Sequence, residues 1–188
     1  MIDWDSPKEL TAFLKERNLS LKKRFGQNFL ISPGAREKIC SALSPERGDL
    51  VWEIGPGLGA MTHTLLDLGV RVTAFEIDRG FSRVLLELFG DNPSFRLVQG
   101  DFLDTWEGEY RQAGGPDRII GNLPYSSGSA MIAALVQGDC RTDRLVFTLQ
   151  KEVARRMTAL PGGETYSSFS VLCQSVWDIS YAGDIKGG

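Results

Sequence analysis

From Pro45 onward the chain alternates between two patterns. Short apolar runs of strand length, LVWEI, VRVTAF, FRLVQ, RIIG, RLVFTL and VWDISYA, are separated by stretches with helical spacing, among them 58–68, 81–89 and 130–136. Strands that are apolar on both faces are covered on both faces, and a helix between successive strands is what a parallel crossover requires. The pattern therefore predicts an α/β fold, a doubly wound and mostly parallel sheet with helices on either side. A chain of 188 residues, 42% hydrophobic, is long enough to bury one such core. Upstream, SPKE at Ser6–Glu9 predicts a capped helix with Pro7 at its first position, and Ser32-Pro33 opens a second helix with Ile39 and Leu43 on its apolar face. The expected organisation is an N-terminal helix and basic arm over 1–31, then a Rossmann-like domain over 32–188.

Charge and cysteine content narrow the setting. No apolar run approaches the ~20 residues that span a bilayer. Cys40, Cys140 and Cys173 are widely spaced and form no metal-ligand or redox pair, so reduced, buried thiols in a cytoplasmic protein are expected, with no bound metal. The net charge is −3, yet KERNLSLKKR at 15–24 holds Lys15, Arg17, Lys22, Lys23 and Arg24 against Glu16 alone. A basic arm on an acidic body suits contact with phosphate, although a solvated charge run looks the same in sequence.

The stretch EIGPGLGAMT places Gly55, Gly57 and Gly59 between the first strand and the next helix. Glycines there allow a sharp turn and close approach of a ligand, while Pro56 removes an N–H that a phosphate cradle would use. Glu76 ends the second strand, where a carboxylate can accept both ribose hydroxyls of an adenosine; Asp78 competes for that role but reads as a helix cap. Asp101 follows the third strand and suits an adenine amine, or caps the helix beginning at Phe102. Two acids and no Arg or Lys in the loop favour a cationic, phosphate-free adenosine cofactor, S-adenosylmethionine. A nicotinamide-dependent oxidoreductase explains the glycines and Glu76 but leaves Asp101 and Pro56 unused.

GNLPYSS follows the fourth strand. The side-chain carbonyl of Asn122 and the backbone carbonyl of Leu123 can both accept from an amine held between them. Pro124 stiffens the turn, and Tyr125 offers a ring for stacking a base. His63 has no histidine partner, so a helix position on the surface or in the core is expected.

Taken together, KKRFGQNFL, EIGPGLGAMT, FEID, QGDFLD, GNLPYSS and LQKEVARRM resemble, from about Lys22 to the end of the chain, the ribosomal RNA adenine dimethyltransferases. These are Rossmann-like class I methyltransferases that dimethylate two adjacent adenosines near the 3′ end of small-subunit ribosomal RNA. The resemblance implies that Asn28 and Leu30 contact the cofactor near its methionine end, with Gln27 beside them in the cofactor site, and that Gly55 and Gly57 line the loop. It implies Glu76 on the ribose, Asp101 on the adenine, Asn122 and Leu123 on the target amine, and Tyr125 on the target base. Lys22, Lys23 and Arg24 would meet RNA phosphate. The implied partner is small-subunit RNA in a pre-30S-type particle, with the enzyme a monomer that contacts no membrane.

Related large-subunit enzymes of the macrolide-resistance type share much of this set, and a non-catalytic RNA-binding assembly factor would keep the same pocket. The chain stops at GDIKGG, after six strand-like runs, so the last strand and the C-terminal helical domain of the family are expected to be missing, leaving the Trp177–Ala182 run without its neighbour.

Overall fold

The computed structural model describes residues 2–17, 19 and 33–185. Five strands form one fully parallel sheet in the order β3-β2-β1-β4-β5: β1 (Leu50–Ile54), β2 (Arg71–Glu76), β3 (Phe95–Gln99), β4 (Arg118–Asn122) and β5 (Arg144–Thr148). Helices connect them in turn, α3 (Ala60–Asp67), α4 (Arg79–Phe89), α5 (Phe102–Ala113) and α6 (Gly128–Gln137), with α1 (Pro7–Glu16) and α2 (Pro33–Leu43) before and α7 (Lys151–Met157) and α8 (Ser168–Gln174) after. The chain winds outward from β1 to β3, then returns to lay β4 against the other side of β1. That reversal opens a crevice above the carboxyl ends of β1 and β4, where α/β folds place ligands.

Strand alternation sorts the core into two faces. Trp52, Ile54, Phe75 and Ile119 pack against Phe102 and Trp106 of α5 and Met131, Ile132 and Leu135 of α6. Val51, Val72, Ala74 and Ile120 point the other way, onto Ile39 and Leu43 of α2 and Met61 and Leu65 of α3. Continuing the same alternation puts Glu53, Glu76, Asn122 and Thr148 on the α2–α3 side, at the ends of their strands. The sheet thus delivers four polar side chains to one rim.

The N-terminal helix begins as the sequence predicts, with the Ser6 hydroxyl accepting from the Glu9 N–H at 3.3 Å and Pro7 at the first turn. Its Leu10 and Leu14 pack on Leu58 of the glycine loop and on Phe81 and Val84 of α4. Cys140 and Cys173 are buried free thiols, while Cys40 is half-buried. His63 lies on α3, partly exposed, 3.4 Å from Asp67. Among the described residues no helix is long and apolar enough to cross a membrane.

The sixth strand-like run differs from expectation. Trp177–Ala182 forms no ladder among the described residues and is irregular chain. Two of its apolar residues answer to packing: Trp177 and Ile179 rest on the α5–α6 core, while Ile185, beyond the run, reaches the opposite cluster. Apolar alternation records which side chains are buried, whereas a strand also needs a neighbour for its N–H and C=O groups.

Candidate active site

The crevice is a cavity of about 380 Å³ bounded by the loop after β1, the tips of β2 and β3, and the Asn122–Ser127 turn. That volume falls within the range of small-molecule sites.

Gly55, Gly57 and Gly59 all have positive φ, at 71°, 59° and 90°. The requirement is most severe at Gly59, which caps α3: a Cβ there would lie 2.5 Å from the Phe89 ring. Only glycine allows the loop to close this tightly against α4.

Glu76 is 2% exposed, and its two carboxylate oxygens are engaged separately. Oε2 accepts from Gly57 N–H at 3.1 Å and Oε1 from Asp78 N–H at 2.8 Å. Burial pushes its pKa up to about 7, although both N–H bonds oppose the shift. Asp78 turns away to cap α4, accepting from Gly80 and Phe81 N–H, so only Glu76 lines the cavity. Asp101 is the helix cap that the sequence allowed, its Oδ1 accepting from Leu103 N–H at 3.0 Å, and the residue also lines the cavity.

Sequence reasoning missed Glu53. It sits in β1, 4% exposed, lines the cavity, and accepts from the buried Thr62 hydroxyl of α3 at 2.6 Å. Burial, with the neighbouring charge of Glu76 acting in the same direction, lifts its pKa to about 7 against that hydrogen bond. An ionisable residue inside a run otherwise apolar, two positions before the first glycine of the loop, was the available signal.

On the far wall, Asn122 ends β4 with its Oδ1 accepting from the Thr148 hydroxyl at 2.5 Å, and lines the cavity beside Pro124. Leu123 buries its side chain in the core at 2% exposure and is not among the residues that line the cavity. Tyr125 is 53% exposed beyond the rim. Gly55, Gly57, Glu76, Asp101 and Asn122 therefore meet at one cavity, with Tyr125 outside it. Gln27, Asn28, Leu30, Lys22, Lys23 and Arg24 lie outside the described residues.

The described residues of the lining include three acids, Glu53, Glu76 and Asp101, and no Lys, Arg or His. An anionic, partly apolar cleft of this kind repels a pyrophosphate and favours a cation.

Residues 18–182 match the family described as ribosomal RNA adenine dimethylase. The chain is 44% identical over 178 residues to the ribosomal RNA small subunit methyltransferase A of Treponema denticola, a match that covers 94% of this chain and 61% of that protein's length. Among solved structures it is similar to a dimethyladenosine transferase from Plasmodium falciparum, with a TM-score of 0.64 and 29% identity over 76% of this chain and 50% of that one. The 23S rRNA methyltransferase ErmE is also similar, with a TM-score of 0.59 and 27% identity over 70% of this chain and 51% of that one. The Rossmann-like sheet is thus the class I methyltransferase fold. By its sequence blocks, by its fold and by the match along most of its length, the chain belongs to the ribosomal RNA adenine dimethylase family.

Proposed function

We propose that this chain binds S-adenosylmethionine in the β1–β4 crevice and transfers methyl groups to the exocyclic amines of two adjacent adenosines near the 3′ end of small-subunit ribosomal RNA. The observation that carries the reading is the lining of the cavity, with three acids and no basic residue among its described residues. The cofactor supplies an electrophilic methyl carried on a sulfonium, so a cationic and phosphate-free ligand is what this lining suits. Glu76 would take the ribose hydroxyls, Asp101 the adenine amine, and Glu53 would add negative charge on the α3 side. Asn28 and Leu30 are assigned to the methionine end by their place in the family motif, with Gln27 beside them, and Lys22, Lys23 and Arg24 to RNA phosphate.

The protein's part in the reaction is placement. An adenine amine is a weak nucleophile because its lone pair feeds the ring. Acceptors at Asn122 Oδ1 and the Leu123 carbonyl would draw its N–H bonds and turn the lone pair toward the cavity, and would stabilise positive charge growing on nitrogen. After a first transfer the amine nitrogen gives up one proton to water and keeps one N–H, so a second transfer needs a fresh cofactor molecule and rotation of the amine. Tyr125, exposed outside the cavity, would stack on a base lifted from single-stranded RNA. A pre-30S-type particle as partner, a monomeric enzyme and a cytoplasmic setting complete the reading.

The test is transfer of labelled methyl groups to unmodified small-subunit particles, with a full-length relative as control. Label on two adjacent adenosines of the small-subunit RNA supports the proposal. Cofactor binding without transfer, alongside an active control, would assign the chain to a non-catalytic role, and label confined to large-subunit RNA would move it to the other branch of the family.

A further inference from the structure

Thr148 stands opposite Asn122 in the parallel register of β4 and β5, and it holds the target-amine end of the site at two points. Its hydroxyl donates to Asn122 Oδ1 at 2.5 Å, and its backbone carbonyl accepts from Leu123 N–H at 3.1 Å. The two residues assigned to accept the target amine are thus both tied to one residue of the edge strand. Thr148 also lines the cavity, together with Asn122.

An asparagine amide can turn over about its last torsion and exchange its oxygen for its NH2 group, which would present a donor where the reaction needs an acceptor. The Thr148 hydroxyl donates to Oδ1 and so holds the oxygen of the amide on this side. An amide oxygen has two lone pairs. The Thr148 hydroxyl takes one of them. The ladder bond to Leu123 fixes the backbone that carries the second acceptor.

We propose that Thr148 is a positioning residue for methyl transfer: its hydroxyl sets the orientation of the Asn122 amide, so that Oδ1 rather than Nδ2 receives the target amine. The proposal rests on the functional reading above, in which Asn122 accepts that amine. Thr148 acts through Asn122 and needs no contact of its own with the RNA base.

Thr148→Val tests it, because valine keeps the branched shape, the strand preference and the main-chain bond while removing the hydroxyl. Thr148→Ser restores the hydroxyl without the methyl. In the full chain, Thr148→Val should lower kcat for methyl transfer to small-subunit RNA roughly 10-fold, with affinity for S-adenosylmethionine by calorimetry unchanged, and Thr148→Ser should recover turnover to within about 2-fold of the parent. Independently of turnover, the side-chain amide signals of Asn122 in a nitrogen-15 spectrum should shift and broaden in the valine variant and return in the serine variant. Amide signals unchanged in the valine variant would overturn the proposal, as would a valine variant with full turnover. If the parent chain transfers no methyl group to any adenine-containing RNA, the functional reading fails, and the amide spectrum still decides whether Thr148 orients Asn122.

Discussion

Gly57 donates its backbone N–H to Glu76 Oε2 at 3.1 Å, so the loop after β1 and the acid at the tip of β2 form one hydrogen-bonded unit. The loop is shaped by the same carboxylate that is assigned to the ribose. Replacing Glu76 by Gln removes the charge and one acceptor while keeping the volume. Charge-assisted hydrogen bonds are worth ~1.5–3 kcal/mol each, so affinity for S-adenosylmethionine should fall at least ~10-fold in a calorimetric titration. Unchanged affinity would remove Glu76 from the cofactor site.

Glu53 and Glu76 both have pKa values lifted to about 7 by burial. A ligand that offers hydroxyl donors and positive charge favours their ionised forms and lowers both values, so binding must release protons near neutral pH. Affinity for S-adenosylmethionine should therefore rise with pH between about 6 and 8 and then level off. Titrations at pH near 7 in buffers of different ionisation heat should report net proton release; net uptake would contradict the assignment. The effect on folding has the opposite sign. Both folded values lie above the unfolded carboxylate value of about 4.3. The stability these groups contribute is complete below that value and is lost as pH rises through 7, so the ligand-free chain should unfold more easily at pH 8 than at pH 5 on their account.

Gly59 has φ of 90° and stands where a Cβ would lie 2.5 Å from Phe89. Gly59→Ala combines left-handed strain of ~1–2 kcal/mol with overpacking of ~1–3 kcal/mol. Urea unfolding should show a loss of about 2–5 kcal/mol from these two terms. A variant as stable as the parent would show that the loop relaxes freely and is not held by α4.

Most of the fold was legible because each strand of this sheet is a local event. LVWEI, VRVTAF, FRLVQ, RIIG and RLVFTL are continuous apolar runs bounded by turn residues, and all five became parallel strands. VWDISYA has the same local character but not the same fate, since a strand also depends on a partner that may lie anywhere in the sequence. The site divides in the same way. Glycines, strand-tip acids and the Asn-Leu-Pro-Tyr turn announce themselves by residue type and position. Glu53 was hidden inside an apolar run, and Thr148 acquires its importance only through the register that sets it across from Asn122. Such cross-strand pairings are set by the packing of the whole sheet, which no window of sequence contains.

Tyr125 is 53% exposed and lies outside the cavity, and its proposed role is to stack on an extruded base. Stacking is worth ~1–3 kcal/mol per base, so Tyr125→Ala should lower turnover on RNA by roughly 5- to 150-fold. Cofactor affinity should stay close to that of the parent. A large loss in a cofactor titration would place Tyr125 in the wrong part of the site.

The central claim is that a sulfonium nucleoside lies in the crevice between β1 and β4, clasped by acids and aimed at Asn122. Crystallography of the chain grown with S-adenosylmethionine tests it most directly. The account predicts density in the crevice with the ribose against Glu76, the adenine beside Asp101 and the methyl group directed at the Asn122–Leu123 carbonyls. Density elsewhere on the molecule, or an empty crevice in crystals grown at saturating cofactor, would contradict it.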